Sequence, residues 1–394
     1  MTFEISENNA LGHYSLAQAT EDAIRDMESE ATDNSIGLRS RWPVMNRGQS
    51  KHFRFGNVVG IAGASGAGKS ALLNMIRTDF TDFEEIKIHK DEIAISIIDT
   101  ILQTSEFKEV GSYLVRLPIN GDVKFKSIFL HFAYEMKPSQ EQLRTVSTLT
   151  GINYSKLLSS EGLKDEHGNY HYEKLNPEWR NFVYKVAREF AKRKEILVYN
   201  TVGNLAQLYN TVYKVHKTYG SERKITIAID HTLLSAKLDE KSDQALQDNT
   251  ARLCVRLKND FDAMVIPLTQ LNSENEKLER RTNPATHYPI KSDIYMGGQY
   301  FQACDDLYTM TSPIAISIKE FGPHFVPTTI NFNDNICSLI HIGKIKARFG
   351  KIGQFWFINA LNEGKILPLE LQYNKDNIVE GLKILPTLIK EISV

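Results

Sequence analysis

Cysteine is scarce in this sequence: three residues in 394, Cys254, Cys304 and Cys337. An odd number without regular spacing fits neither a disulfide framework nor a metal cluster, so the three read as core thiols in a reducing compartment. Excess charge of either sign is also lacking. Lys and Arg number 47 against 48 Asp and Glu, leaving a formal net charge of −1 and a pI of about 6.8. No global basic field draws nucleic acid in. Any such contact has to come from local basic loops, or from a basic channel hidden inside a ring of subunits. No stretch approaches the roughly 18 continuous apolar residues of a membrane span. The chain does not open on a basic segment followed by an apolar run. The expectation is a cytoplasmic protein without membrane contact. Internal repeats and low-complexity tracts are absent as well. What remains is 42% hydrophobic and 24% charged, as in an ordinary globular protein. The length suits one large α/β domain with appendages, or two domains.

Against this plain background one motif stands out. Gly63-Ala64-Ser65-Gly66-Ala67-Gly68-Lys69-Ser70 spells G-x-x-x-x-G-K-[ST], the phosphate-binding loop of nucleoside triphosphatases. The apolar run Val58-Val59-Gly60-Ile61-Ala62 before it reads as a buried strand, and Ala71 to Ile76 after it reads as a helix. Strand, glycine loop and helix are the setting the motif requires. The glycines let backbone N–H groups curl around the β- and γ-phosphates, with the helix N-terminus aimed at the anion. Lys69 reaches the phosphate oxygens, and the Ser70 hydroxyl takes one position on Mg²⁺. ATP and Mg²⁺ are the expected cofactors.

The rest of the chain alternates strands and helices, which implies an α/β fold with a mostly parallel twisted sheet covered by helices on both faces. A helix from Ser15 carries Leu16, Ala19, Ala23, Ile24, Met27 and Ala31 at helical spacing. It cannot bury that stripe alone and must dock on its own domain or on a neighbour. Strands are expected at 127–132, 196–199, 224–230 and 263–270, and at Leu307–Met310, Ile314–Ile318, Ser338–Ile342 and Gly353–Ile358. Helices are expected at 140–149, 177–192, 205–219 and 243–260. Between 79 and 125 the period of Ile86 to Ile101 is unsettled and Val110 to Leu117 resembles a strand. Residues 272–300 form a long, polar, partly basic loop, and loops of that length are functional or disordered. Residues 362–394 read as a strand and a short amphipathic helix.

Four further features bear on chemistry. Asp230 ends a buried strand, where α/β sheets place their ligand crevice, and can hold the Mg²⁺ water shell. Glu135 follows strand 127–132, where a carboxylate can deprotonate the attacking water or be a plain surface glutamate. Gln270 closes the next strand, as a sensor of the γ-phosphate or as a turn residue. Lys344, Lys346 and Arg348 alternate, so on a strand they share one face. Such a row is either a solvated edge or a set of cations projecting into a neighbour's site, with Arg348 as an arginine finger.

In order and wording these motifs resemble the RecA-like motor of DnaB-type replicative helicases. The family's Ser-Leu-Glu-Met-like turn is Ala133-Tyr134-Glu135-Met136 here. Its strand ending in Asp and an aromatic is Asp230-His231, and its Ser-Gln-Leu-Asn element is Thr269-Gln270-Leu271-Asn272. The closing Lys-x-Arg and glycine are Lys346-Ala347-Arg348 and Gly350, with Gly353 beyond. The lead-in Gly37, Trp42 and Asn46 also has family counterparts. The likeness spans about residues 15–360. It implies a P-loop of residues 63 to 71, Ala71 included, with Lys69 and Ser70 on phosphate and Mg²⁺. Glu135 would be the catalytic base and Asp230 the Walker B acid. Gln270 would couple ATP to a DNA loop, and Arg348, helped by Lys346, would act on the next subunit's ATP. The family assembly is a hexamer threaded by single-stranded DNA, with helix 15–31 as the linker docking on the adjacent copy.

Three departures qualify this. Lys69 and Glu135 lie 66 positions apart, further than is usual, which implies an insertion around 80–125. About 35 residues precede the motor in place of the family's N-terminal helical domain, so contact with a primase or loader is expected to differ. The family's DNA loop carries an Arg and a Glu that Ser292-Asp293-Ile294-Tyr295-Met296-Gly297-Gly298 lacks. Lys277, Arg280, Arg281 and Lys291, with Gly298, are the candidate DNA contacts instead. The compact, divergent form suggests a phage or mobile-element protein in a host cytoplasm. The expected layout is 1–35 tail and linker helix, 36–360 motor, and 361–394 C-terminal extension. The expected function is an ATP-driven hexameric helicase or translocase on single-stranded DNA in replication. The alternative is a DnaB-like ATPase that does not unwind: recombinase-like, a loader or regulatory. A nucleotide-binding scaffold with little turnover has no need of Glu135 or Arg348.

Overall fold

The computed structural model describes residues 15–31, 37–48, 53–81, 126–135, 137–150, 152, 154–158, 162–164, 167, 170–172, 177–191, 195–220, 222–230, 242–295, 297–332, 335–360, 365–375 and 377–385. Nearly all of the expected insertion, with the segments 86–101 and 110–117, lies outside the described residues, as do residues 1–13, His231, Met136 and the last nine residues.

Helix α1 (Leu16–Ala31) precedes a lead-in of β1 (Gly37–Leu38), α2 (Pro43–Gly48) and β2 (Phe53–Arg54). Then come β3 (Val59–Gly63), α3 (Lys69–Asp79), β4 (Lys126–Ala133), α4 (Pro138–Thr150) and the one-turn α5 (Tyr154–Leu157). A small hairpin, β5 (Gly162–Lys164) and β6 (Tyr170–Tyr172), occupies the polar stretch before α6 (Pro177–Ala191). The chain continues through β7 (Ile196–Tyr199), α7 (Leu205–Tyr219), β8 (Arg223–Asp230), α8 (Asp243–Phe261) and β9 (Met264–Gln270). The loop beyond it holds α9 (Leu278–Thr282) and α10 (Gly298–Ala303). Strands β10 (Asp306–Thr311), β11 (Glu320–Phe321), β12 (Val326–Pro327), β13 (Thr329–Phe332), β14 (Asn335–Ala347), β15 (Gly353–Ala360), β16 (Lys365–Tyr373) and β17 (Val379–Ile384) complete it.

Local chemistry explains the boundaries. Asn204 accepts from the Gln207 amide while the Gln207 side chain accepts from the Asn204 amide, a capping box that starts α7. Ser242 caps α8 by a single bond, its hydroxyl accepting from the Ala245 amide, and Asp262 ends it in the left-handed region at φ 47°. Residues 225–230 of β8 are all buried, as a parallel strand covered on both faces must be.

The main sheet has 11 strands, in the order β17-β16-β15-β14-β10-β3-β9-β8-β4-β7, with β13 also on β14. From β10 to β7 every pairing is parallel; from β14 outward every pairing is antiparallel. Alternation along β3 splits the core between the two faces. Val59 and Ile61 join Trp42, Phe53, Leu72, Met75 and Phe80 on the α3 side. Val58 and Ala62 join Leu208, Val212, Leu253, Leu257 and Tyr300 under α7, α8 and α10.

The lead-in residues act as anchors. A Cβ at Gly37 would lie 2.1 Å from the Phe53 carbonyl, so only glycine admits β2 so closely. Trp42 is fully buried and donates from Nε1 to the Ile366 carbonyl at 2.9 Å. The Asn46 side chain takes the Ser40 amide at 2.8 Å and returns a bond to the Ser40 carbonyl. Arg41 grips Asp79, at the end of α3, through Nε and Nη2; losing one partner of such a buried pair costs about 3–5 kcal/mol.

One expectation changes. Residues 313–316 form a 3-10 turn opened by Pro313 rather than a strand. In the C-terminal extension β16 is joined by a further strand, β17, pairing antiparallel with it, so the main sheet runs on past residue 361. Residues 386–394, the place left for the expected short helix, lie outside the described residues. Among the described residues no helix is long and apolar enough to cross a membrane.

Candidate nucleotide site and adjoining basic loop

The parallel strands β3, β9, β8 and β4 all end at one edge, and there the expected residues meet. Gly63 is level with Gln270, and Ala133 with Asp230. The loop after β3 turns through Gly66 at φ 73° and Gly68 at φ 94°, conformations that favour glycine, and Gly68 caps α3. Ala64 and the first residues of α3, Lys69, Ser70 and Ala71, are half-buried, Ser65 and Gly66 are exposed, and Ala67 is buried as the loop's apolar foot. The Lys69 ammonium curls over the loop and donates to the carbonyls of Gly63 at 2.7 Å and Ala64 at 2.9 Å. Burial pushes Lys69 below its ordinary range, and the charges of Asp230 and Glu135 pull it back. An ammonium in that state favours a further anion, such as phosphate.

Asp230 is buried at its strand end and Glu135 is exposed two residues past β4. Both act electrostatically on Lys69, so they share its site. Ser70 hydroxyl and Asp230 carboxylate are hard oxygen donors of the kind Mg²⁺ takes. The amide of Leu271 donates to the Gly63 carbonyl at 3.3 Å, which ties the residue after Gln270 to the phosphate loop.

Behind this edge lies a buried polar cluster that the sequence did not reveal. Arg77, one residue past the expected end of the helix and inside the observed α3, is 1% exposed. It donates to Asn74 Oδ1 at 2.6 Å and Thr145 Oγ1 at 2.7 Å, contacts His131 Nδ1 at 3.0 Å, and faces Glu141 at 3.9 Å. It thus joins α3 to β4 and α4, the elements carrying Lys69 and leading to Glu135. Burial raises Glu141, with Arg77 opposing; burial holds His131 well below its usual range, helped by Arg77. Glu141 in the first turn of α4 was the available signal, three residues after Pro138.

The basic loop after Gln270 is ordered by its own polar groups. Arg280 donates from Nε and Nη2 to the Thr286 carbonyl, from Nη2 to the Tyr288 carbonyl, and from Nη1 to Asp293 Oδ1 at 2.6 Å. Asp293 Oδ2 takes the Ile290 amide in turn. Arg281 is half-buried, and its carbonyl meets His287 Nε2 at 3.1 Å. Lys277 pairs with Glu274 at 2.6 Å at the surface. Lys291 is exposed, its ammonium 4.8 Å from the Phe301 ring centroid, and Gly298 is exposed at the start of α10. Arg280 therefore faces inward, whereas Lys291 faces solvent.

The Lys-x-Arg element lies elsewhere. The register between β10 and β14 shifts between Leu307 and Tyr308, which face Lys346 and Lys344. Ile345 is the extra residue of that bulge, so the three cations do not share one face. Lys344 is fully buried, pairing with Asp306 at 2.8 Å and donating to the Gly48 carbonyl at 2.7 Å. Lys346 donates to the Phe301 carbonyl at 2.6 Å and the Gln302 carbonyl at 3.1 Å. Arg348, 55% exposed, pairs with Asp305 at 2.8 Å. Ala347 is level with Asp306 and hence with Val59, the first residue of β3. Arg348 thus sits at the opposite end of the strands from Gly63, roughly 13 Å along β3 alone at about 3.3 Å per residue.

No protein-family profile matches the chain, and no curated protein matches it in sequence. Among solved structures it is similar to the ATPase domain of a DnaB-like helicase, at 16% identity and a TM-score of 0.62, covering 91% of this chain and 100% of that one. It is also similar to a DnaB-like replicative helicase whose interactions with primase are described, at 16% identity and a TM-score of 0.59, covering 89% of this chain and 68% of the other. The chain has the RecA-like fold of DnaB-like helicase ATPase domains.

Proposed function

We propose that this chain is an ATP-hydrolysing motor of the replicative-helicase type, working as a homo-hexameric ring on single-stranded DNA. The carrying observation is the separation of Arg348 from Gly63 across the length of the strands, so that an arginine finger at 348 serves only another copy. The exposed stripe of α1, with Leu16 83% and Met27 64% exposed beside Ile24, supports docking of that helix on an adjacent copy.

In this reading the loop amides and Lys69 hold the β- and γ-phosphates, and Ser70 with Asp230 hold Mg²⁺. The bound ion would neutralise charge on the phosphates. Glu135 takes the proton of the attacking water on its carboxylate. Gln270 reports the γ-phosphate to the basic loop. Arg348 of a neighbour, with Lys346, stabilises charge on the transferring phosphoryl group. Lys291 and the exposed loop backbone near Gly298 meet DNA phosphates rather than bases. A primase or loader is a further partner consistent with this reading, and the cytoplasm its location.

The inward Arg280 favours a second reading, an ATPase of the same fold that does not unwind, because it removes one cation from the expected DNA grip. Steady-state ATPase with and without single-stranded DNA, with mass in solution recorded, separates the two. Strong stimulation of a hexamer-sized species supports the ring motor. Turnover indifferent to DNA favours the second reading.

A further inference from the structure

Asp305 is buried and unused by the reaction described above. Its carboxylate has three partners. Lys258 Nζ lies 3.0 Å from Oδ1 and 2.7 Å from Oδ2. The Val58 amide donates to Oδ2 at 2.8 Å, and Arg348 Nη1 lies 2.8 Å from Oδ1. These partners differ in mobility. Lys258 is 10% exposed and Val58 is a buried backbone group, whereas the Arg348 side chain is 55% exposed. The Arg348 amide is itself fixed, donating to the Asp305 carbonyl at 2.8 Å. The guanidinium can therefore swing outward while its backbone stays in place.

We propose that Asp305 is the resting partner of Arg348, a positioning residue that holds the guanidinium until a neighbour's phosphate replaces the carboxylate. The inference rests on the reading of Arg348 as the group that completes an adjacent copy's site. Stripping a buried carboxylate of its cation is ordinarily costly. Here Lys258 and the Val58 amide remain on Asp305 after Arg348 leaves, so the exchange trades one anion for another without orphaning either. Lys258 also sets how tightly Arg348 is held, because it shares the same carboxylate.

Two variants push in opposite directions. Asp305→Asn with Lys258→Met keeps an acceptor for the Val58 amide and balances charge, while freeing Arg348. Turnover at saturating ATP is expected to rise about two- to fivefold, the range of a half-exposed ion pair. Lys258→Met alone leaves Arg348 as the cation on Asp305, and turnover is expected to fall by a similar factor. In an Arg348→Ala background both effects should vanish, which a merely structural role would not produce. Thermal melts verify folding, and should the double variant melt early, Lys258→Met carries the test alone. If Arg348→Ala lowers turnover but the double variant fails to raise it, or Lys258→Met fails to lower it, the resting-partner role is wrong. If Arg348→Ala itself leaves turnover unchanged, the finger reading falls and this inference with it.

Discussion

The amide of Tyr295 donates to the carbonyl of Gln270 at 3.0 Å. The same limb of the basic loop takes the Asn272 amide on the Asp293 carbonyl at 2.7 Å and the Asn272 side chain on the Ser292 carbonyl. One residue on, Leu271 bonds to Gly63 of the phosphate loop. If Gln270 senses a phosphate as proposed, these backbone hydrogen bonds would carry its shift into residues 292–295. Gln270→Ala should retain ATP binding and basal turnover within a few-fold and lose stimulation by single-stranded DNA. A stimulation ratio equal to that of the parent would disconnect Gln270 from the loop.

Glu135 is exposed at the site edge, so its replacement perturbs little packing. Glu135→Gln should bind ATP normally and turn over about 10²–10⁴-fold more slowly, the usual worth of a general base. Equilibrium nucleotide binding beside single-turnover hydrolysis checks this; undiminished hydrolysis would remove Glu135 as the base.

Arg348→Ala, mixed with the parent protein in increasing proportion, should depress ATPase activity more steeply than the mutant fraction if, as proposed, each copy completes a neighbour's site. A loss linear in mutant fraction would place Arg348 outside any shared site.

The two loop cations should separate. Lys291→Ala is expected to reduce the salt slope of single-stranded DNA binding by about 0.7, one phosphate contact. Arg280→Ala should instead speed amide exchange over residues 284–295, because its carbonyl and Asp293 contacts organise that segment. The reverse pattern would assign Arg280 to the DNA.

His341 supplies a pH dependence. It is fully buried among Tyr288, Phe321 and Trp356, with Nε2 2.6 Å from Gln354 Oε1. Nε2 then carries the hydrogen and Nδ1 is bare. Burial lowers its pKa to about 3, with Gln354 opposing. Below an unfolded value near 6.5 the unfolded chain takes up a proton that the folded chain does not. Stability should therefore fall by up to about 1.4 kcal/mol per unit as pH drops from 6.5 toward 3. Urea titrations of the parent and His341→Asn, across that window, should differ in slope by up to one proton. Identical slopes would show that His341 titrates normally.

Much of this was legible in the sequence because parallel strands buried on both faces leave continuous β-branched runs. Lys224–Asp230 and Ala263–Gln270 announce their type and their ends, and the phosphate loop announces its chemistry. The structure brings Lys69, Asp230 and Glu135 together, as their placement at strand ends implied. Less visible was anything set by a single residue's tertiary partner. Arg77 breaks an apolar helix face only because His131, Asn74 and Thr145 meet it there. The bulge at Ile345 turns Lys344 inward, and no periodicity reports a bulge. Arg280 and Lys291 look alike as letters, yet one is bound by loop carbonyls and the other is free to face solvent.

The placement of Gly63 and Arg348 at opposite strand ends also constrains symmetry. In the proposed assembly one patch of the surface gives a guanidinium and a different patch receives one, so the contact that would complete a site is heterologous. Copies added in that manner form a row whose terminal member always lacks a donor. Only when the rotation between copies closes on itself does every site have one. The number of complete sites then equals the number of copies, and a single break in the circle costs one site.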